Sequence, residues 1–110
     1  MLGKSGSPRA VDALIIDESE FQESELARVE IYTKMTCGFC TRAKRLLEMK
    51  RVRFEEYPVD FGGPKKVEMV DRAGGRMTVP QIFIDGRHVG GCDDLMWLEQ
   101  QGKLDELLAA

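Results

Sequence analysis

Cysteine, histidine and tryptophan are scarce in this chain, with three, one and one in 110 residues. An odd number of cysteines does not close into the even framework of a disulfide-rich secreted domain. Structural zinc normally takes four ligands, as two cysteine pairs or a pair plus two histidines. Here Cys37, Cys40, His88 and Cys92 would all be needed, at an unusual spacing, so no structural metal is expected. No run of residues approaches the roughly 18 apolar positions of a membrane span, so no membrane partner is expected. The first residues hold Lys4 and Arg9 but no apolar h-region of the length a secretory signal has ahead of the acidic run. No secretory signal is therefore expected, and the cytoplasm, where thiols stay reduced, is the expected location.

Positive charge is not in excess either. The formal net charge is −3. Residues 1–28 carry three basic and six acidic groups, and residues 29–110 carry thirteen of each. A nucleic-acid surface would be basic over a whole face, so none is expected. The acidity marks residues 1–28 as an extension and leaves 29–110 as one domain. "MLGKSGSPRA" is rich in Gly, Ser and Pro and reads as a flexible leader. In "VDALIIDESEFQESELAR" a short apolar run meets six acids. A helix docking through Leu14 and Ile15 is one reading of it; a solvated extension is the favoured one.

From Val29 the pattern becomes regular. "VEIYT" is β-branched and alternating, and predicts a strand. From the "CGFC" onward, Phe39, Ala43, Leu46 and Leu47 recur at helical spacing. "RFEEYPV" predicts a second strand. Pro64 suits the first turn of a helix whose apolar stripe would be Val67, Val70 and Ala73, with the glycines of "RAGGRM" ending it. "VPQIFIDGRHVGG" predicts a hairpin about Asp85-Gly86. Asp93 or Asp94 would cap a following helix, and Leu104, Leu107 and Leu108 suggest a last turn or two. The order β-α-β-α-β-β-α predicts an α/β fold: a small mixed four-stranded sheet, parallel at first and closed by an antiparallel hairpin, flanked by helices.

Three short stretches carry chemistry. Cys37 falls at a strand-to-helix junction and Cys40 one turn later. A thiolate at Cys37 would face unpaired N–H groups and the positive end of the helix dipole, with Lys34, Arg42, Lys44 and Arg45 nearby. Both effects favour the thiolate, which is the reactive form. Cys40, deeper in the helix, would stay protonated and serve as the resolving thiol. The bland alternative is a pair of buried helix cysteines, but the spacing after a strand favours redox chemistry. In "TVPQIF", a cis bond before Pro80 would leave the Val79 backbone free to pair with an extended peptide; otherwise Pro80 merely opens a strand. In "GGCDD", the glycines, the helix N-terminus and an aspartate suit an amino-acid head group, although capping is the default role of such an aspartate.

Taken in order, "YTKMTCGFC", "TVPQIFIDGRHVGG" and "CDDL" resemble the glutaredoxins over about residues 29–108, above all the small bacterial dithiol members. The resemblance implies a thioredoxin-like fold and a glutathione-dependent reductase of protein disulfides and glutathionylated proteins, working as a monomer. It implies Cys37 as nucleophile and Cys40 as resolving thiol. It implies glutathione contacts from Lys34 and Phe39, with Lys34 meeting the glycine carboxylate and Lys66 a weaker match. Thr78, Val79 and Pro80 would hold the cysteinyl backbone, and Cys92 and Asp93 the γ-glutamyl head group. Two departures stand out. Cys-Gly-Phe-Cys replaces the frequent Cys-Pro-Tyr-Cys and resembles the Cys-Gly-Phe-Ser of iron–sulfur members, though without their insertion before the motif. "AGGRM" is one residue longer than usual before Thr-Val-Pro, which leaves the contribution of Arg76 open. The first departure implies an alternative function: a carrier dimer holding an iron–sulfur cluster through Cys37 and glutathione.

Overall fold

The computed structural model describes residues 27–109. The expectations for the acidic extension, including docking through Leu14 and Ile15, lie outside the described residues. The elements are β1 (Val29–Thr33), α1 (Gly38–Met49), β2 (Phe54–Pro58), α2 (Pro64–Arg72), β3 (Gln81–Ile84), β4 (Arg87–Gly90), α3 (Cys92–Gln100) and α4 (Leu104–Leu108). The sheet order is β2-β1-β3-β4. β1 runs parallel to β2 and antiparallel to β3, and β3 and β4 form the hairpin. This is the mixed four-stranded sheet read from the sequence.

Every residue of the central strand β1 is buried. Its side chains alternate between two cores, as a strand's period of two requires. Val29 and Ile31 join Ile82 and Ile84 of β3 against Ala43, Leu46 and Leu47 of α1, Leu95 of α3 and Leu104 and Leu108 of α4. On the other face Tyr32 and Phe83 meet Met69 and Ala73 of the α2 segment, with Val59 beside them. The first core anchors Ala27 as well, which is buried and donates its N–H to Leu108 O at 3.2 Å.

Two expected core positions are elsewhere. Phe39 is exposed, and buried Cys40 takes its place on the inner face of α1 with Ala43, Leu46 and Leu47. Val67 is also exposed, and Met69 is the buried residue of α2. Each helix is rotated slightly from the stripe read in the sequence, because the sheet selects the inward face. The turn chemistry follows the sequence. Pro64 lies at the start of α2, and Gly74 and Gly75 past its end have φ of 65° and 98°. Asp85 and Gly86 have φ of 51° and 79°, the double positive φ of a two-residue hairpin turn.

Candidate active site

The site forms where the C-terminal end of β1, the α2–β3 loop and the start of α3 meet. Cys37 is the N-cap of α1 and has the extended backbone of a cap, φ −129° and ψ 106°. Its Sγ accepts the Cys40 N–H at 3.1 Å, and its carbonyl accepts the Thr41 N–H at 3.1 Å. The sulfur therefore does what a Ser or Asp side chain does at a cap, receiving a donor that the helix leaves unpaired. Cys37 is partly exposed, whereas Cys40 is buried. Burial is the main cause pushing the Cys40 thiol up, and the hydrogen bond with Cys37 adds to it. A backbone hydrogen bond from Lys34 works the other way but is the smaller effect. The two sulfurs thus differ in exposure, and burial acts on the Cys40 thiol.

The Val79-Pro80 peptide bond is cis. Cys37 Sγ lies 3.8 Å from Val79 O, within reach of that carbonyl. Gln81, fully buried, fixes the preceding loop: its Nε2 donates to Thr78 O at 3.0 Å and to Thr78 Oγ1 at 3.2 Å. Its Oε1 accepts from His88 Nε2 at 2.7 Å. His88 also stacks on Phe83, with centroids 4.9 Å apart. The lone histidine is thereby engaged in holding the β3–β4 hairpin and the Thr78 loop together. Among the described residues no three His, Cys, Asp or Glu side chains gather into a metal set.

A cleft of about 330 Å³ opens beside Cys37, lined by Phe39, Arg76, Thr78, Val79, Pro80, Gly91, Cys92, Asp93 and Asp94. It brings together most of the residues singled out in the sequence: Phe39, the Thr78-Val79-Pro80 run, Cys92 and Asp93. Lys34 is exposed on the loop between β1 and α1 and does not line the cleft. Lys66 lies in a separate depression with Gly63, Val67, Val70 and Asp71. Cys92 is buried at the first position of α3, and burial pushes its thiol up. The cap of α3 is Gly91, and its N–H is received by Asp94 Oδ2 at 2.8 Å, so the structural carboxylate is Asp94 and not Asp93.

Two contributors carry no site role in the sequence reading, Gln81 and Arg76, and a third, Asp94, stands there only as an alternative to Asp93. Arg76 Nη1 reaches Asp94 Oδ2 at 3.4 Å, tying the α2–β3 loop to the start of α3. The sequence offers Asp93 and Asp94 alike for the cap or for an ammonium group, and the structure commits Asp94 to the Gly91 N–H. The signal for Gln81 was its position after the Val-Pro step, but a polar residue there also fits a strand end.

Comparison with known proteins places this geometry. The glutaredoxin family model matches residues 29–89. Glutaredoxin 3 of Escherichia coli (strain K12) is 58% identical over 83 residues, which are 76% of this chain and 99% of that protein. The chain belongs to the glutaredoxin family. Glutaredoxin 1 of Rickettsia typhi is 51% identical over 87 residues, covering 78% of this chain and 84% of the relative. Among solved structures, the glutaredoxin of Brucella melitensis is 48% identical with a TM-score of 0.67, over 77% of this chain and 91% of that one. The buckwheat glutaredoxin–glutathione complex is 29% identical with the same TM-score, over 83% of each chain. The fold is thioredoxin-like, as in these glutaredoxins, and the members of the family are in general oxidoreductases.

Proposed function

We propose that this glutaredoxin is a glutathione-dependent reductase of protein disulfides and of mixed disulfides between proteins and glutathione. One observation carries the reading. The partly exposed Cys37 sulfur caps α1 3.8 Å from the carbonyl of Val79, a residue that lines the cleft, while Cys40 is buried one turn below it. That a buckwheat relative was solved with glutathione supports the choice of co-substrate.

In the first reaction the Cys37 thiolate attacks the glutathione sulfur of a glutathionylated protein. The Cys37–glutathione disulfide forms, and the protein thiolate leaves and takes up a proton. A second glutathione thiolate then attacks the glutathione sulfur held on Cys37. Oxidised glutathione leaves and the Cys37 thiolate returns. In the second reaction Cys37 attacks a protein disulfide. Cys40 loses its proton and attacks Cys37 Sγ, which releases the protein dithiol and leaves a Cys37–Cys40 disulfide. Two glutathiones reduce that disulfide and leave as one oxidised glutathione.

The bound glutathione lies with its cysteinyl backbone against Thr78, Val79 and Pro80. Its γ-glutamyl head is at the Cys92 backbone and Asp93, and Phe39 and Lys34 flank the remainder. The cytoplasm, where glutathione is kept reduced, is the compartment this chemistry needs. Among the described residues no helix is long and apolar enough to cross a membrane.

The carrier-dimer reading has weaker support. Cluster iron favours thiolate ligands, and the partly exposed Cys37 sulfur is suited to be one. But Cys40 sits within the same helical turn and withdraws that sulfur whenever a disulfide closes. The deciding experiment for the reductase is turnover of a small glutathione mixed disulfide, coupled to glutathione reductase. Steady turnover that scales with glutathione is expected; no turnover above the uncatalysed rate refutes the proposal.

A further inference from the structure

We propose that the apolar run Leu14-Ile15-Ile16 of the acidic extension seats in the groove that β4, α3 and α4 form away from the cysteines. The groove holds about 320 Å³ and is walled by Ile84, Val89, Trp97, Leu98 and Leu107, with Arg87 also lining it. Among the described residues no strand pairs beyond β4, the outer strand of the sheet. Val89, Leu98 and Leu107 pack against the first core but are only partly buried, and Trp97 is 54% exposed. A contiguous apolar surface of this kind marks a place where a further segment docks.

The occupant follows from where the described chain begins. Ala27 donates its N–H to Leu108 O at 3.2 Å, and the preceding residue, Leu107, is a wall of the groove. Arg28 donates its N–H to Asp85 Oδ1 at 2.9 Å, and its carbonyl receives the Asp85 N–H at 2.8 Å. The residue before Asp85, Ile84, is another wall. The extension therefore joins the domain beside two residues of the groove. Ten residues separate Ile16 from Ala27. Extended, they reach roughly 35 Å, ample for a return to a groove that begins at the attachment point. A tether also holds a segment at about millimolar local concentration, so a contact too weak between separate molecules forms within one chain.

Charge agrees with this choice. Residues 10–26 carry six acids and no basic group. Arg87 is exposed, and its side chain has no hydrogen-bond or ion-pair partner among the described residues. The polar neighbours on the groove are engaged, His88 with Gln81 and Asp94 with the Gly91 N–H. An apolar run followed by Asp17, Glu18 and Glu20 thus matches apolar walls with one uncommitted guanidinium. The sequence alone favours a solvated extension because it shows no partner for the run; the folded domain presents one.

Trp97 is the only tryptophan of the chain, so its fluorescence reports on this groove. Emission maximum and acrylamide quenching are measured on the full chain for the parent, Leu14→Asp/Ile15→Asp, Arg87→Glu and the combination of the two. The extension variant is expected to move emission to longer wavelength, raise the quenching constant and lower the melting midpoint, with a cooperative melt showing that the domain itself is folded. Arg87→Glu should act in the same direction. The combination should shift no further than the extension variant, because a guanidinium that has lost its partner has nothing more to lose. Lys65→Glu, the same charge reversal on α2 across the sheet, should leave emission unchanged. Unchanged emission and quenching in the extension variant, additive shifts in the combination, or an equal shift from Lys65→Glu would overturn the proposal. Parent emission should not vary with protein concentration; a move to shorter wavelength as dimers form would overturn it in favour of a second copy in the groove.

Discussion

Cys37 and Cys40 are three positions apart and chemically unequal. Cys37 is open to a substrate and bonded by the Cys40 N–H; Cys40 is buried and its thiol is pushed up by that burial. Cys37→Ser is expected to abolish both activities, since it removes the exposed sulfur. Cys40→Ser should keep deglutathionylation, because glutathione itself resolves the adduct on Cys37, and should lose most reduction of protein disulfides. Assays of a small mixed disulfide and of a disulfide-bonded protein, run on both variants, measure this. Equal losses in the two assays for Cys40→Ser would contradict the division of roles. A second residue-scale prediction concerns Glu30, which is buried under the sheet. It receives Arg72 Nη2 at 2.9 Å, Arg72 Nη1 at 3.2 Å and the Tyr57 hydroxyl at 3.0 Å. The Arg72 hydrogen bond is the main cause holding its carboxyl below the ordinary range, against the opposing effect of burial. A depressed carboxyl contributes stability above its unfolded value of about 4.3 and loses it as pH falls toward the folded value. Glu30→Gln should therefore cost about 1–3 kcal/mol at neutral pH. The gap to the parent should shrink as pH drops below about 4.3. Denaturant midpoints at several pH values test it, and a pH-independent gap would remove the ionic explanation.

At the scale of elements, the junction of β4 and α3 is the most constrained part of the site. Gly90 has a φ of 121°, a region L side chains rarely adopt, and a Cβ there would collide with the Asp94 carboxylate. Asp94 is needed in place to receive the Gly91 N–H. Gly90→Ala is therefore expected to cost more than about 1 kcal/mol, from strain at positive φ together with a disturbed cap. It should also raise KM for glutathione, because α3 carries Cys92 and Asp93. Thermal melts and steady-state kinetics check the two parts; a variant that melts and binds as the parent does would refute the constraint. The helices show where sequence periodicity stopped short. The sequence reading places Val67 on the apolar stripe of α2 with Val70 and Ala73. Tyr32 and Phe83, presented by the sheet, take Met69 instead. Phe39 fitted the α1 stripe equally well, but it flanks the cleft.

At the scale of the molecule, one chain supplies the cleft: Phe39 from α1, Arg76, Thr78, Val79 and Pro80 from the α2–β3 loop, and Gly91 to Asp94 from the start of α3. Nothing in the proposed reaction needs a second copy. The active species is therefore expected to be a monomer of 12.4 kDa. Sedimentation at the assay concentration, with and without glutathione, measures it. Activity that rises with a dimer population would contradict this and revive the shared-cluster reading.

By itself the sequence determined the order of strands and helices, the hairpin at Asp85-Gly86 and the stop at Gly74-Gly75, because these rest on local backbone preferences that neighbours only reinforce. It also determined that the two cysteines would meet a helix start, since a strand followed by a helical period leaves no other place for them. The tertiary structure decided what depends on distant partners. Pro80 precedes a strand under either isomer, and the cis form belongs to the folded loop that Gln81 ties to Thr78. Asp93 and Asp94 are equivalent as letters, yet only Asp94 lies one turn above Gly91 with its carboxylate on the cap. Arg76 reaches the site because α3 is packed across the sheet from a loop eighteen residues earlier in the chain. Side chains that work through such contacts carry no local signature, so their roles appear only when the chain is folded.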